Sequence, residues 1–202
     1  MSKKGLLVVV SAPSGSGKTT LCRNVVSSRP NTTYPISTTT RPARKGEKNG
    51  RDYLFLSRDE FEEKKQNGEF LEWANVFGEY YGTLRQLVEN TRNKGKDVVL
   101  NIDIQGASQV KKRCPEAVLV FILPPSIGIL EQRLRDRKSD TEDEILKRLQ
   151  LARIEISKID NYDYVVVNKD IKDSVDKLLA IITAEKARLE RMRDEIDDSC
   201  RA

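Results

Sequence analysis

"LLVVVSAPSGSGKTTL", residues 6–21, sets an apolar, β-branched run against a Gly/Ser-rich turn and then a Lys-Thr-Thr that opens a helix-forming stretch. In that order of strand, loop and helix, the segment from Ala12 to Thr19 fits a phosphate loop, with Ala12 where the pattern's first glycine falls. Glycines let backbone N–H groups turn inward around a polyphosphate, and the start of the helix adds unpaired N–H groups and its dipole. The residues expected around the phosphates of a nucleoside triphosphate are therefore Ala12, Pro13, Ser14, Gly15, Ser16, Gly17, Lys18, Thr19 and Thr20. Lys18 would reach the terminal phosphates, and the Thr19 hydroxyl would hold Mg²⁺. The alternative is a plain Gly/Ser turn before a helix. Average residue frequencies give the fixed positions in such a chain only about one time in a hundred, and the preceding strand makes the coincidence rarer.

The chain bounds what chemistry such a loop can serve. Its 202 residues suffice for one domain with insertions. It contains no histidine, which removes Ser-His and Cys-His nucleophilic systems, histidine bases and His-ligated zinc. Chemistry must run on Lys, Arg, carboxylates, hydroxyls, backbone amides or a hard metal ion. Lys and Arg exceed Asp and Glu by 36 to 31, a modest excess that suits an anionic partner. Basic residues are interleaved with acidic ones and form no aromatic-rich stripe, so nucleic acid is not expected as a partner. Cys22, Cys114 and Cys200 make no CxxC, and no apolar run reaches membrane-spanning length. A reducing cytoplasm and no membrane association are the expectations; the residues leave the oligomeric state open.

Four short runs read as strands: 6–10, 98–104, 117–123 and 164–168. Three are nearly continuously apolar, as buried parallel strands are. Helix-like stretches follow at 19–28, 105–114, 126–137 and 142–159, and a long amphipathic segment runs from Ile171 to about Ile196. Such alternation argues for an α/β fold, a parallel sheet with helices on both faces. Residues 34–83 break the rhythm with Pro, Gly and short alternating pieces, then "SRDEFEEKKQNG", where Ser57 and Glu60 have capping-box spacing and Leu56 and Phe61 that of a staple. An ordered α+β insertion is expected there.

Within the insertion, "STTTRPARKGEKNGRDY" places Arg41 and Arg44 close together, with Tyr53 after them. Two guanidinium groups can grip one phosphate and a phenol can add a donor; on this segment alone a solvated basic loop is the simpler reading. Glu72, between Leu71 and Trp73, reads equally as a pocket carboxylate and as an exposed turn of helix.

Taken together, "SAPSGSGKTTL", "STTTRPARKGEKNGRDY", "FLEWANVFGEYYGT", "NIDIQGA", "FILPPS" and "YVVVN" resemble the guanylate kinase family, the ATP:GMP phosphotransferases, from about Leu7 to Lys186. The resemblance implies a P-loop NTPase-type core (residues 1–33, 84–125 and 159–202), a GMP-binding insertion (34–83) and a helical lid (126–158). It implies ATP and GMP as substrates, with Mg²⁺. It assigns the GMP phosphate to Arg41, Arg44, Tyr53 and Tyr81, and guanine N1–H and the 2-amino group to Glu72. Ser37 and Thr83 would complete the base contacts, and Asp103 would lie near GMP and the magnesium's water shell. Arg133, Arg137 and Arg148 would close over the ATP phosphates as catalytic cations with Lys18. Without the resemblance, the lid arginines read as part of an ion-paired surface helix.

Two departures from the family pattern stand out. Asn101 occupies a position that is often Asp, which would weaken the magnesium's outer shell or change substrate contacts. Asp136 and Lys138 flank Arg137 where glycines are common, which would stiffen lid closure. Rival readings are a non-catalytic binding module of the same fold, against which the intact Lys18 and arginine set argue, and a kinase for another phosphorylated acceptor.

Overall fold

The computed structural model describes residues 4–76, 78–136 and 141–193. Five parallel strands form the main sheet in the order β2-β7-β1-β8-β9: β1 (Leu7–Ser11), β2 (Thr32–Thr33), β7 (Asp97–Asn101), β8 (Val118–Leu123) and β9 (Tyr164–Val167). β1 is central, between β7 and β8. Its residues divide between two cores. Val8 and Val10 pack toward α1 (Lys18–Ser28) and α7 (Ile171–Lys186), with Leu21, Val25, Leu178 and Ile182. Leu7 and Val9 pack toward α3 (Arg85–Asn93) and α4 (Ile104–Arg113), with Val88, Ala107 and Val110. With both faces covered, the strands can be continuously apolar, and each fully buried Val or Leu contributes about 1.5–3 kcal/mol. The chain winds one way from β1 and the other way to β8, so the carboxyl ends of β1 and β7 flank a crevice at the switch point.

The expected strands are all present, with shifted ends. β7 starts one residue early because the buried Asp97 carboxylate is satisfied, accepting from Leu6 N–H (3.0 Å) and Lys186 Nζ (2.8 Å). It stops at Asn101 rather than 104 because Asp103 is not strand; its Oδ1 accepts from Gly106 N–H (2.8 Å) and caps α4. The expected single helix from Ile171 ends at Lys186. Ala187 N–H bonds back to the Ala184 carbonyl (3.0 Å), and helix resumes over 189–193. At that break Glu185 is buried and takes the Tyr164 hydroxyl and the Arg188 guanidinium (2.9 Å). Two elements carried no sequence signal: β2, and α3, whose buried face is Val88 and an arginine, Arg92.

A second sheet, in the order β4-β3-β6-β5, is built from β3 (Thr38–Thr39), β4 (Leu54–Phe55), β5 (Phe70–Val76) and β6 (Glu79–Leu84). It carries α2 (Arg58–Gln66), whose Ser57–Glu60 capping box is formed and whose Phe61 stacks on Phe70 with centroids 4.3 Å apart. β5 is an edge strand, and α4 satisfies its open side. Gln109 Nε2 donates to the Trp73 carbonyl (2.7 Å) while its Oε1 accepts from Trp73 N–H (3.2 Å). Arg113 donates to the Phe70 carbonyl (2.8 Å) and to that of Leu71. α5 (Ile127–Asp136) and α6 (Glu142–Ile156) pair through a small core of their own: Leu130, Leu134, Ile145, Leu149 and Ala152. Among the described residues no helix is long and apolar enough to cross a membrane.

Candidate active site

The loop after β1 follows from its glycines. Gly17 sits at φ +84°, where L side chains are strained, and a Cβ there would fall 2.7 Å from Asn168 Nδ2. α1 then begins with no capping side chain, whereas α2, α4, α6 and α7 are capped by Ser57, Asp103, Thr141 and Asp170. Its first N–H groups therefore face the cleft, the arrangement that binds anions. The cleft, about 420 Å³, is lined by all nine expected residues, Ala12 through Thr20, and also by Asn101, Asp103, Arg148 and Glu155. Lys18 leans across it, its Nζ donating to the Ile102 carbonyl at 2.6 Å. Burial lowers its pKa, opposed by the carboxylates of Asp103, Glu155 and Glu72.

A second cleft of about 200 Å³ opens toward the small sheet, lined by Tyr34, Ser37, Tyr53, Glu72, Tyr81 and Gly82 among others. Lys18, Val76, Asn101 and Asp103 line both clefts, so groups held in the two would meet at these four side chains. A larger cavity of about 670 Å³, between α4 and Tyr162, touches neither the loop nor Glu72.

Glu72 lies on a strand, not on a turn of helix. A register shift between Phe70 and Glu72 sets three consecutive buried residues, Phe70, Leu71 and Glu72, against the two-residue alternation of a strand. Leu71 enters the core of the main sheet, and Glu72 lines the second cleft at 4% exposure. Thr83, opposite it on β6, donates its hydroxyl to Glu72 Oε1 at 2.6 Å. Burial pushes the Glu72 pKa up to about 7; the Thr83 bond opposes the shift and Asp103 adds to it.

The other expected residues are distributed as follows. Tyr53 and Tyr81 stand edge to face, 6.2 Å apart, and the Arg41 guanidinium lies 5.4 Å over the Tyr53 ring. Arg41 is held bidentately by Glu47, both bonds 3.0 Å, which raises its pKa. Arg44 is exposed and meets Glu47 through its backbone N–H (2.7 Å). Thr83 stands behind Glu72, its one hydroxyl proton committed to the carboxylate. Arg148 Nη1 donates to Ser14 Oγ (2.9 Å), and Arg133 Nη2 to the Asn168 carbonyl (3.4 Å). Arg137 and Lys138 lie outside the described residues. Asn101, where the family pattern often has Asp, donates from Nδ2 to Thr19 Oγ1 (3.2 Å).

Three residues escaped the sequence reading. Asn168 is buried and donates to the Ser16 carbonyl (2.7 Å), while its Oδ1 accepts from Ser174 (3.0 Å). Glu155 is buried beside the loop, with its pKa raised to about 7 by burial. Tyr34 lines the second cleft. The "YVVVN" motif pointed to the first; the other two had no signal in the sequence.

A phosphate loop facing a second pocket across a shared lysine and carboxylate defines a P-loop kinase for a small phosphorylated acceptor. A family model described as guanylate kinase matches residues 4–185. A guanylate kinase of Carboxydothermus hydrogenoformans is 52% identical over 94% of this chain and 93% of its own, and one of Thermotoga maritima is 43% identical over 96% and 94%. The crystal structure of guanylate kinase from Anaplasma phagocytophilum superposes with a TM-score of 0.77 at 37% identity, covering 94% of this chain and 90% of that one. The chain belongs to the guanylate kinase family, whose members are ATP:GMP phosphotransferases.

Proposed function

We propose that this chain transfers the γ-phosphoryl group of ATP to GMP with the following division of labour. The main sheet with α1 forms the ATP core, the small sheet with α2 the GMP domain, and α5–α6 the lid. ATP phosphates lie against the uncapped start of α1 with Lys18, and the GMP base enters the second cleft. A GMP phosphate oxygen attacks the γ-phosphorus, the bond from the γ-phosphorus to the bridging oxygen breaks, and ADP leaves. The attacking oxygen is already anionic near neutral pH, so no strong general base is required, in keeping with a chain without histidine. Lys18, Arg133, Arg137 and Arg148 neutralise charge on the transferring group. Arg41, Arg44, Tyr53 and Tyr81 hold the acceptor phosphate; Glu47, bound bidentately to Arg41, pre-orients that guanidinium.

Hard oxygen donors near the phosphate loop, the Thr19 hydroxyl and the Asp103 carboxylate, suit Mg²⁺, which takes most of its ligands from phosphates and water. Thr19 would hold the ion directly and Asp103 through its water shell. The ion would supply charge neutralisation between the β and γ phosphates. A cytoplasmic location accords with free Cys22 and Cys114.

The observation that carries the guanine assignment is the buried Glu72 carboxylate facing the second cleft. It can accept from guanine N1–H and the 2-amino group together; adenine offers no 2-amino group and presents an N1 acceptor. Glu72→Gln keeps the shape and loses the charge. It is expected to cut kcat/KM for GMP at least about tenfold, since bonds to charged groups are worth roughly 1.5–3 kcal/mol, and to narrow GMP/AMP discrimination. Steady-state kinetics with both nucleotides tests it; unchanged GMP turnover together with an unchanged ratio would remove Glu72 from base recognition.

A further inference from the structure

Gly106 is in the first turn of α4, buried, with no positive φ to require a glycine. Its lack of a side chain is used elsewhere. A Cβ there would fall 2.6 Å from Glu72 Oε2, closer than real Cβ contacts come, and 3.2–3.3 Å from Ile102 Cδ1 and Asp103 Oδ1. Thr83 donates to Glu72 Oε1, and Oε2 rests in the space that a side chain at 106 would fill. That space is at the N-terminal, electropositive end of α4, where a carboxylate is favoured.

The two elements have little freedom to separate. One helical turn further along, Gln109 makes two bonds to the Trp73 backbone, and a turn beyond that Arg113 grips the carbonyls of Phe70 and Leu71. Those anchors hold β5 on both sides of Glu72. A methyl group at 106 would have to be accommodated by the Glu72 carboxylate itself, which would swing from α4 into the cleft or turn away from it.

From this geometry we infer that Gly106 is a positioning residue for base selection: its missing side chain sets the depth and orientation of the Glu72 carboxylate. The inference rests on the reading of Glu72 as the group that recognises guanine. Gly106 touches no nucleotide in that arrangement and acts through Glu72 alone. Glycine at this position costs helix stability relative to alanine, so a purely helical role would make Gly106→Ala stabilising. The clash predicts the opposite sign.

The test is a double-mutant cycle of Gly106→Ala and Glu72→Ala, read by thermal melting and by kinetics with GMP, AMP and ATP. Gly106→Ala alone is expected to lower Tm, to raise KM for GMP at least about tenfold with KM for ATP within twofold, and to narrow the GMP/AMP ratio. In the Glu72→Ala background the same substitution should raise Tm by about 2–4 °C, the gain expected of alanine over glycine in a chain this size. There it should change kcat/KM for GMP less than twofold. Equal losses in both backgrounds, or a Gly106→Ala protein with higher Tm and normal KM for GMP, would overturn the inference. Glu72→Ala alone reports separately on base recognition: if its GMP/AMP ratio matches wild type, the Glu72 reading fails, whatever the Tm coupling shows.

Discussion

Asn168→Ala should loosen the phosphate loop without touching the second cleft. In the native chain Asn168 Nδ2 donates to the Ser16 carbonyl at 2.7 Å and fills the space over Gly17. Alanine leaves that buried carbonyl unpaired, at a cost of about 1–3 kcal/mol, and leaves a small void worth about 1 kcal/mol more. Ser174 loses little, because its hydroxyl also reaches the Asp170 carbonyl at 2.7 Å. The sum, about 2–4 kcal/mol, corresponds to a Tm lower by roughly 4–16 °C in a chain this size. The freed loop must be reordered around the triphosphate, so KM for ATP should rise at least about fivefold while KM for GMP stays within twofold. Asn168→Asp, which sets a carboxylate oxygen against the Ser16 carbonyl, should be worse than alanine. Scanning calorimetry and steady-state kinetics on the same preparations decide it. Wild-type Tm together with wild-type KM for ATP in Asn168→Ala would refute the reasoning.

Lys18→Met should leave the fold intact and lower kcat at least about 100-fold, as removal of one preorganised electrostatic contact does; a folded variant with near-normal GMP phosphorylation contradicts it. Arg148→Ala removes a guanidinium that meets the loop at Ser14, and should lower kcat while equilibrium GMP titration gives wild-type affinity. The Glu72 pKa, raised to about 7 by burial with Asp103 adding and Lys18 and Arg113 opposing, has a signed consequence. Between the ordinary carboxylate value and about pH 7 the folded chain holds a proton that the unfolded chain has released, so stability falls as pH rises through that window. On the proposed reading of Glu72, GMP takes the ionised form, so its binding near pH 6 should release a proton from Glu72. Calorimetric titration in buffers of different ionisation enthalpy should show that release in wild type beyond whatever Glu72→Gln shows; equal proton counts would contradict it.

The main sheet was legible because its strands are short β-branched runs buried on both faces, a pattern that survives without tertiary information. β2 was not, since two threonines at a sheet edge carry no periodicity. α3 was not, since half of its buried face is an arginine whose charge is met by Glu89 and Glu116 and whose Nε donates to the Gly5 carbonyl. The phosphate loop could be read because its contacts are backbone groups of one contiguous segment. Glu72 could not be placed from its neighbours: the bulge at Leu71 hides the strand alternation, and the residues that fix the carboxylate, Thr83 and Gly106, come from other elements. Asn168 acts on Ser16 across 152 positions, a distance at which only the fold makes the connection. Arg41 and Arg44 both meet Glu47, the first through its guanidinium and the second through its backbone N–H, a link that the sequence does not announce.

The most direct test of the account is acceptor selectivity in the wild-type protein: diphosphate formation from ATP-Mg²⁺ with GMP, dGMP, AMP, CMP and UMP, each as kcat/KM. A cleft that reads N1–H and the 2-amino group through a buried carboxylate predicts turnover with the two guanine nucleotides and rejection of the other three by several orders of magnitude. AMP, CMP or UMP phosphorylated with kcat/KM comparable to that of GMP would contradict it.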